Sequence, residues 1–339
     1  MKRFCTILLS LVVAILPQFN TDIFSQESTV YATVHSRKAF VVGGNNAPTG
    51  LFYQKRSDDT VWKHTGPSNI HAFAIAAAPE SKGQLLFMGA GNGVHRTMDG
   101  GNSWKITTGW EITEVLCLAI DPSDRKRVLC TSPYGIYQTK DGGDQWKDCS
   151  RGLTTKFVSA VIIDHSNPKL LYCSTEDGIF SSDDNAETWE RTALTVKGIR
   201  CIAQHPTNPG MIAAGTEDDG IYLSQDNGEN WRKCEDGIEN ATFYTVIFDV
   251  KDPLIMYAGG FETGVYKSKD GGKTWQRSQQ GLASLTIRSI AVDPANTNRI
   301  YAGTFGQGVY RSEDGGYTWK YAGLAGSLVW SINIEPFEP

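Results

Sequence analysis

The chain has 339 residues, with 37 Asp and Glu against 32 Lys and Arg and a formal net charge of −5. Mild acidity, with no basic stripe interleaved with aromatics, argues against a general nucleic-acid binder. The length admits one or two domains and is enough to bury a sizeable core.

The N-terminus opens with the basic Met1-Lys2-Arg3 and continues into an apolar run from Ile7 to Leu16. That pattern reads as a secretory signal peptide, and the run is short for a membrane span. Ile23-Phe24-Ser25 and Val30-Tyr31-Ala32 both end on a small residue suited to cleavage. Residues 1–32 are therefore set aside as signal peptide and leader, and 33–339 as one domain. The expected location is secreted or periplasmic, with membrane anchoring only if the leader stays uncleaved.

Beyond the leader the first strand is expected over Ala39-Phe40-Val41-Val42-Gly43. A unit then recurs to the end of the chain. Its clearest copy is Ser312-Glu313-Asp314-Gly315-Gly316-Tyr317-Thr318-Trp319, and a worn first copy is Arg56-Ser57-Asp58-Asp59-Thr60-Val61-Trp62. The closing tryptophans Trp62, Trp104, Trp146, Trp189, Trp231, Trp275 and Trp319 lie 42 to 44 residues apart. Such a period signals a repeat architecture. Strand-like residues flank every copy, so the unit is a hairpin turn. Glycines such as Gly315 and Gly316 supply its positive torsions. The acids Asp99, Asp141, Asp184, Asp226, Asp270 and Asp314 can accept hydrogen bonds from amides of their own turns.

Each period reads as four short strands, A to D. In the last repeat A is Ile287-Arg288-Ser289-Ile290-Ala291-Val292-Asp293-Pro294, B is Arg299 to Thr304, C is Gly308 to Ser312 and D starts at Trp319. No helical periodicity appears outside the leader. The fold class expected is all-β: a seven-bladed β-propeller of four-stranded antiparallel blades. The terminal segment Val329-Trp330-Ser331-Ile332-Asn333-Ile334-Glu335-Pro336 is an extra strand A. It is expected to complete the first blade, so that N- and C-terminal segments pair and close the ring.

The pattern Ser-x-Asp-x-Gly-x-Thr-Trp resembles the Asp-box, or BNR, repeat of β-propellers, from about Ala39 to Phe337. The Arg-Ile-Pro motif of sialidases is absent, which sets that group aside. Segments such as Ile290-Ala291-Val292-Asp293-Pro294 and Tyr301-Ala302-Gly303-Thr304 look similar to repeats of xyloglucan-cleaving endoglucanases, which use two propellers where this chain has one. In size and blade count the chain resembles the photosystem II assembly factor, a lumenal propeller, which implies partner binding through a surface.

Six cysteines follow the leader: Cys117, Cys130, Cys149, Cys173, Cys201 and Cys234. They recur at equivalent repeat positions and read as small buried side chains. A Cys117–Cys130 bridge is the best disulfide candidate, across a predicted hairpin. His71, His95, His165 and His205 scatter over different repeat positions, so no metal site is expected from them.

Candidate chemistry lies on the face opposite the aspartate turns. Three successive B–C loops carry Glu176-Asp177, Glu217-Asp218-Asp219 and Glu262. Beside them, at the starts of A strands, stand Arg200, Tyr244, Arg288 and Trp330, with Trp110 and Phe157 in neighbouring D–A loops. Carboxylates next to arginines and aromatic rings suit a polar ligand. Paired acids suit glycoside hydrolysis, and carboxylates with loop carbonyls form a donor set for Ca²⁺. No other cofactor is expected, and no residue is assigned a catalytic role. The expected function is an exported, monomeric, non-enzymatic scaffold that binds a protein or polysaccharide through this face. The alternative is a glycoside hydrolase or polysaccharide lyase.

Overall fold

The computed structural model describes residues 27–37, 48–55, 61–79 and 81–337. They form 28 strands in seven four-stranded antiparallel sheets, and the described residues include no helix. The architecture is a seven-bladed β-propeller. From the axis outward, blade 5 runs Ile199–Gln204, Ile212–Thr216, Ile221–Ser224 and Arg232–Lys233, the positions A to D. The other A strands are Ala72–Ala77, Cys117–Ile120, Val158–Ile163, Phe243–Phe248 and Ile287–Val292 in blades 2, 3, 4, 6 and 7.

Blade 1 is assembled from both ends of the chain. Its A strand is Ser327–Phe337, paired antiparallel with Glu27–Arg37, which pairs in turn with Gly50–Lys55. This pairing of the first and last segments, interrupted by register shifts at Thr33/Val34 and Val34/Ser36, closes the ring and removes two open sheet edges. The B strand lies upstream of the Ala39–Gly43 stretch expected for it, and that stretch falls outside the described residues. Because the strand starts at Glu27, part of the segment set aside as leader belongs to the propeller. Val30, Ala32 and Val34 are buried in it, and Val30-Tyr31-Ala32, read above as a candidate cleavage site, lies inside the strand.

The turn unit works as its composition implies. In the last copy the Asp314 Oδ1 accepts from the Tyr317 and Thr318 amides at 3.0 and 2.9 Å, and Oδ2 from the Thr318 hydroxyl at 2.6 Å. Ser312 Oγ donates to Asp314 at 2.7 Å and accepts from the Gly316 amide at 2.8 Å. The same set recurs around Asp99, Asp184, Asp226 and Asp270. Of the worn first copy, 56–60 lie outside the described residues.

Trp104 and Trp231 donate to Gly101 O and Gly228 O within their own turns, and other tryptophans reach further. Trp62 Nε1 donates to Ala322 O at 2.7 Å and Trp189 Nε1 to Cys149 O at 2.7 Å, each on the preceding blade. Trp319 is 3% exposed, and its amide donates to Gln280 O at 2.9 Å. A Cβ added at Gly281 would lie 2.0 Å from Trp319 O, and Gly281 has φ +93°, so the blades meet there only through a glycine. The hydrophobic clusters likewise straddle neighbours: Leu223 of blade 5 packs with Phe243, Met256 and Trp275 of blade 6.

All six described cysteines are free thiols. The expected Cys117–Cys130 bridge does not form. Cys117 pairs with Thr131 and Leu118 with Cys130, so the two thiols are one residue out of register and leave the sheet on opposite faces. Burial pushes the Cys130 and Cys173 thiols well above their ordinary range, as suits inert packing groups.

Candidate functional site

The seven A strands surround a channel along the propeller axis. In six of them the register skips one residue near the strand start. Ile199 pairs with Thr216 and Cys201 with Gly215, leaving Arg200 unpaired; Ile287 and Ser289 leave out Arg288 in the same way. Phe73, Ser159, Tyr244 and Trp330 occupy the equivalent bulges. A bulge re-aims the extra residue. These side chains, with Leu116 of blade 3, line a cavity of about 750 Å³ at the channel mouth. Sequence reading identified Arg200, Tyr244, Arg288 and Trp330 there but missed Phe73, Leu116 and Ser159. Register slips leave no compositional trace.

Arg200 is pinned between two loops. Its Nη1 donates to Glu176 Oε1 at 2.7 Å, and its Nη2 donates to Glu217 Oε2. The guanidinium therefore holds together two of the acids expected to form an acidic sector. The remaining ones are spent locally. Asp177 accepts from the Thr154 hydroxyl at 2.8 Å, and Asp218 from the Thr242 hydroxyl at 2.7 Å. Asp219 pairs with Lys233 and accepts from the Tyr222 hydroxyl at 2.8 Å. Its carboxyl is lowered, because those donors outweigh the cost of burial, which acts in the other direction. Glu262 sits at φ +56°, engages Thr286 and Arg277 through its backbone, and does not line the cavity. Among the described residues, no group of three or more His, Cys, Asp or Glu side chains is placed to hold a metal ion.

Arg288 is different. Its guanidinium carbon lies 4.1 Å from the Tyr244 ring centre and 3.9 Å from that of Trp330. This is a cation held between two aromatic faces. Trp330 meets Phe73 edge-on at 5.0 Å, and His35 packs 5.2 Å from Trp330 and 4.5 Å from His71. Burial, with His71 and Arg288 nearby, lowers His35 to about 4. His35 and His71 also line a second cavity of about 470 Å³ with Asn69, Asn92 and Glu114, which shares Phe73 and Glu114 with the channel lining. Neither histidine was singled out as part of the site from sequence: His35 sits in the Glu27–Arg37 strand of blade 1 and His71 just before the A strand of blade 2.

Around this mouth the loops expose Trp110 (90%), Tyr134, Phe261 and Phe305. Phe157 faces inward and lines the channel. The opposite face carries the aspartate turns together with the A–B turns, which touch each other: the Gly315 amide donates to Asn298 O at 2.8 Å, and that of Gly142 to Lys126 O at 2.8 Å.

The comparisons with known proteins agree with this architecture. A family model described as "Sortilin, neurotensin receptor 3" matches residues 134–259, a minority of the chain. The GH74 xyloglucanase from Xanthomonas campestris superimposes with a TM-score of 0.68 at 17% identity, over 86% of this chain and 52% of that one. The GH74 enzyme from Niastella koreensis gives 0.61 at 20% identity, over 74% and 44%. YCF48 from Cyanidioschyzon merolae gives 0.62 at 14% identity, over 79% and 89%, and a structure of YCF48 bound to D1 peptide gives 0.58 at 16%, over 76% and 83%. The chain thus spans about half the length of the GH74 enzymes it matches. No curated protein matches it significantly. Identities this low carry the fold and nothing finer.

Proposed function

We propose that the chain is a non-catalytic binding propeller that takes a protein partner on the face around the channel mouth. The observation that carries this reading is the state of the acids. Glu176 and Glu217 share one guanidinium, and Asp177, Asp218 and Asp219 are tied to neighbouring side chains. An enzyme working by general acid catalysis needs a carboxyl free to face its substrate. A binding face needs exposed aromatics and arginine, the side chains that dominate interface energies. Trp110, Tyr134, Phe261 and Phe305 meet that need. A YCF48 propeller bound to D1 peptide shows that this architecture can receive a polypeptide.

The propeller is read as exported. A leader cleaved after Ser25 leaves the Glu27–Arg37 strand whole, whereas cleavage after Ala32 cuts it. The second reading, a carbohydrate-active enzyme, draws on the likeness to GH74 enzymes and predicts turnover of a polysaccharide.

The test is capture from the native envelope fraction by wild type and by a Trp110→Ala/Phe261→Ala double variant. A specific partner retained by wild type and lost by the folded double variant supports the reading. A partner held equally by both contradicts it. So does hydrolysis or elimination of any glycan in a polysaccharide panel by wild type that is lost in Glu176→Gln.

A further inference from the structure

The channel mouth holds two arginines in opposite electrostatic states. Arg200 is saturated by two carboxylates. Arg288 has its two faces covered by Tyr244 and Trp330, its Nε lacks any hydrogen-bond partner, and among the described residues no carboxylate forms an ion pair with it. Burial, reinforced by the charge of Arg200, lowers its pKa to about 10, a value at which it remains a cation at neutral pH. A buried guanidinium Nε without an acceptor is costly unless something matches it.

The stacking dictates the shape of what can. With both faces occupied, only the in-plane edge of the guanidinium is open, and that edge fits a planar acceptor bidentately. The cavity it borders, about 750 Å³, is large enough for a side chain or a chain end. Of the groups that act on Arg288, Tyr244 and Cys201 favour its cationic form and Arg200 adds a second positive charge beside it, while His35, lowered to about 4, is neutral at neutral pH. Glu176 and Glu217, on the far side of Arg200, disfavour a second negative charge. Glu114, which also lines the cavity, has its backbone committed to Gly91 and does not pair with Arg288.

We propose that the edge of Arg288 is a receptor for one carboxylate entering the channel from the loop face. The inference rests on the reading of that face as the binding face. It adds a chemical requirement to the partner: a carboxylate borne on a group slender enough to enter the channel.

The full-length processed protein can be titrated calorimetrically with N-acetylglycine, with N-acetylglycinamide and with inorganic phosphate. The expected result is saturable one-to-one uptake of N-acetylglycine, no uptake of the amide and at least tenfold weaker phosphate. Arg288→Gln should lose at least tenfold in affinity for the carboxylate. Absence of saturable uptake, equal uptake of the amide or phosphate, or full uptake by a folded Arg288→Gln protein overturns the proposal. Should that variant not fold, arginine Nε–Hε NMR signals of wild type give the second reading. One signal should shift on adding N-acetylglycine, and no shifting signal overturns the proposal. Partner capture that depends on Trp110 and Phe261 but ignores Arg288 would overturn this inference while leaving the proposed function standing.

Discussion

The two faces of this ring use acidic residues in opposite ways. On the turn face each of the six described aspartate turns spends its aspartate inside its own eight residues, as Asp314 does with the Ser312 hydroxyl and with Tyr317 and Thr318. On the loop face no two blades are alike, and Glu176 and Glu217 reach between elements to one arginine of the channel. Repetition therefore marks what holds the blades together, and departure from it marks where a ligand can be told from another. Tryptophans divide in the same way: Trp319 is 3% exposed on the turn side and Trp110 is 90% exposed on the loop side.

The largest expected effect breaks the ring itself. A chain ending at Gly326 lacks the inner strand of blade 1, which pairs with Glu27–Arg37 along its length. It should show no cooperative thermal transition, and an unchanged melting temperature would contradict the closure.

The two tryptophans give the next contrast. Trp319→Ala should cost about 3–5 kcal/mol by chemical denaturation, the range for emptying a buried aromatic site. Trp110→Ala should stay within about 0.5 kcal/mol and act on binding alone. Equal costs would dissolve the distinction between the faces.

Acid titration sharpens it. Hydrogen bonds from Ser103 hold Asp99 at about 2, and those from Thr188 do the same for Asp184. Asp270 and Asp314 also stand at about 2; for Asp314 the donors overcome an opposing effect of burial. A carboxyl lowered on folding stabilises the native state above its unfolded pKa of roughly 4, and that contribution is lost as pH falls through the folded value. The urea midpoint should drop between about pH 4 and 2, and Asp270→Asn should reduce the drop.

The smallest expected effect has the opposite sign. Burial raises Glu335 of the closing strand to about 7. A carboxyl raised on folding contributes stability at low pH that is lost as pH rises from its ordinary value through about 7. Glu335→Gln should flatten stability over that interval, and an unchanged slope would show that Glu335 does not close the ring as a neutral acid.

What was legible in the sequence follows the same division. The turns were readable because their hydrogen bonds close within a few residues, and the ring closure because the last segment repeats an A strand with no blade of its own. The Arg200 clamp was not, since it joins Glu176 and Glu217 from loops of two blades. The channel ring was legible in part: Arg200, Tyr244, Arg288 and Trp330 were placed together at A-strand starts, while Phe73 and Ser159, which share the same one-residue slip, were missed. The disulfide expectation failed on the same kind of detail, a single step of register between Cys117 and Cys130. Glu262 was grouped with the site by loop position, and it does not line the channel cavity.

The central claim is that binding belongs to the loop face. It is tested most directly by placing a photocrosslinking phenylalanine analogue at Trp110 in one protein and at Tyr317, on the turn face, in another, then irradiating each with the native envelope fraction. The account predicts a discrete crosslinked partner from position 110 and none from position 317. A partner captured only from position 317 would contradict it.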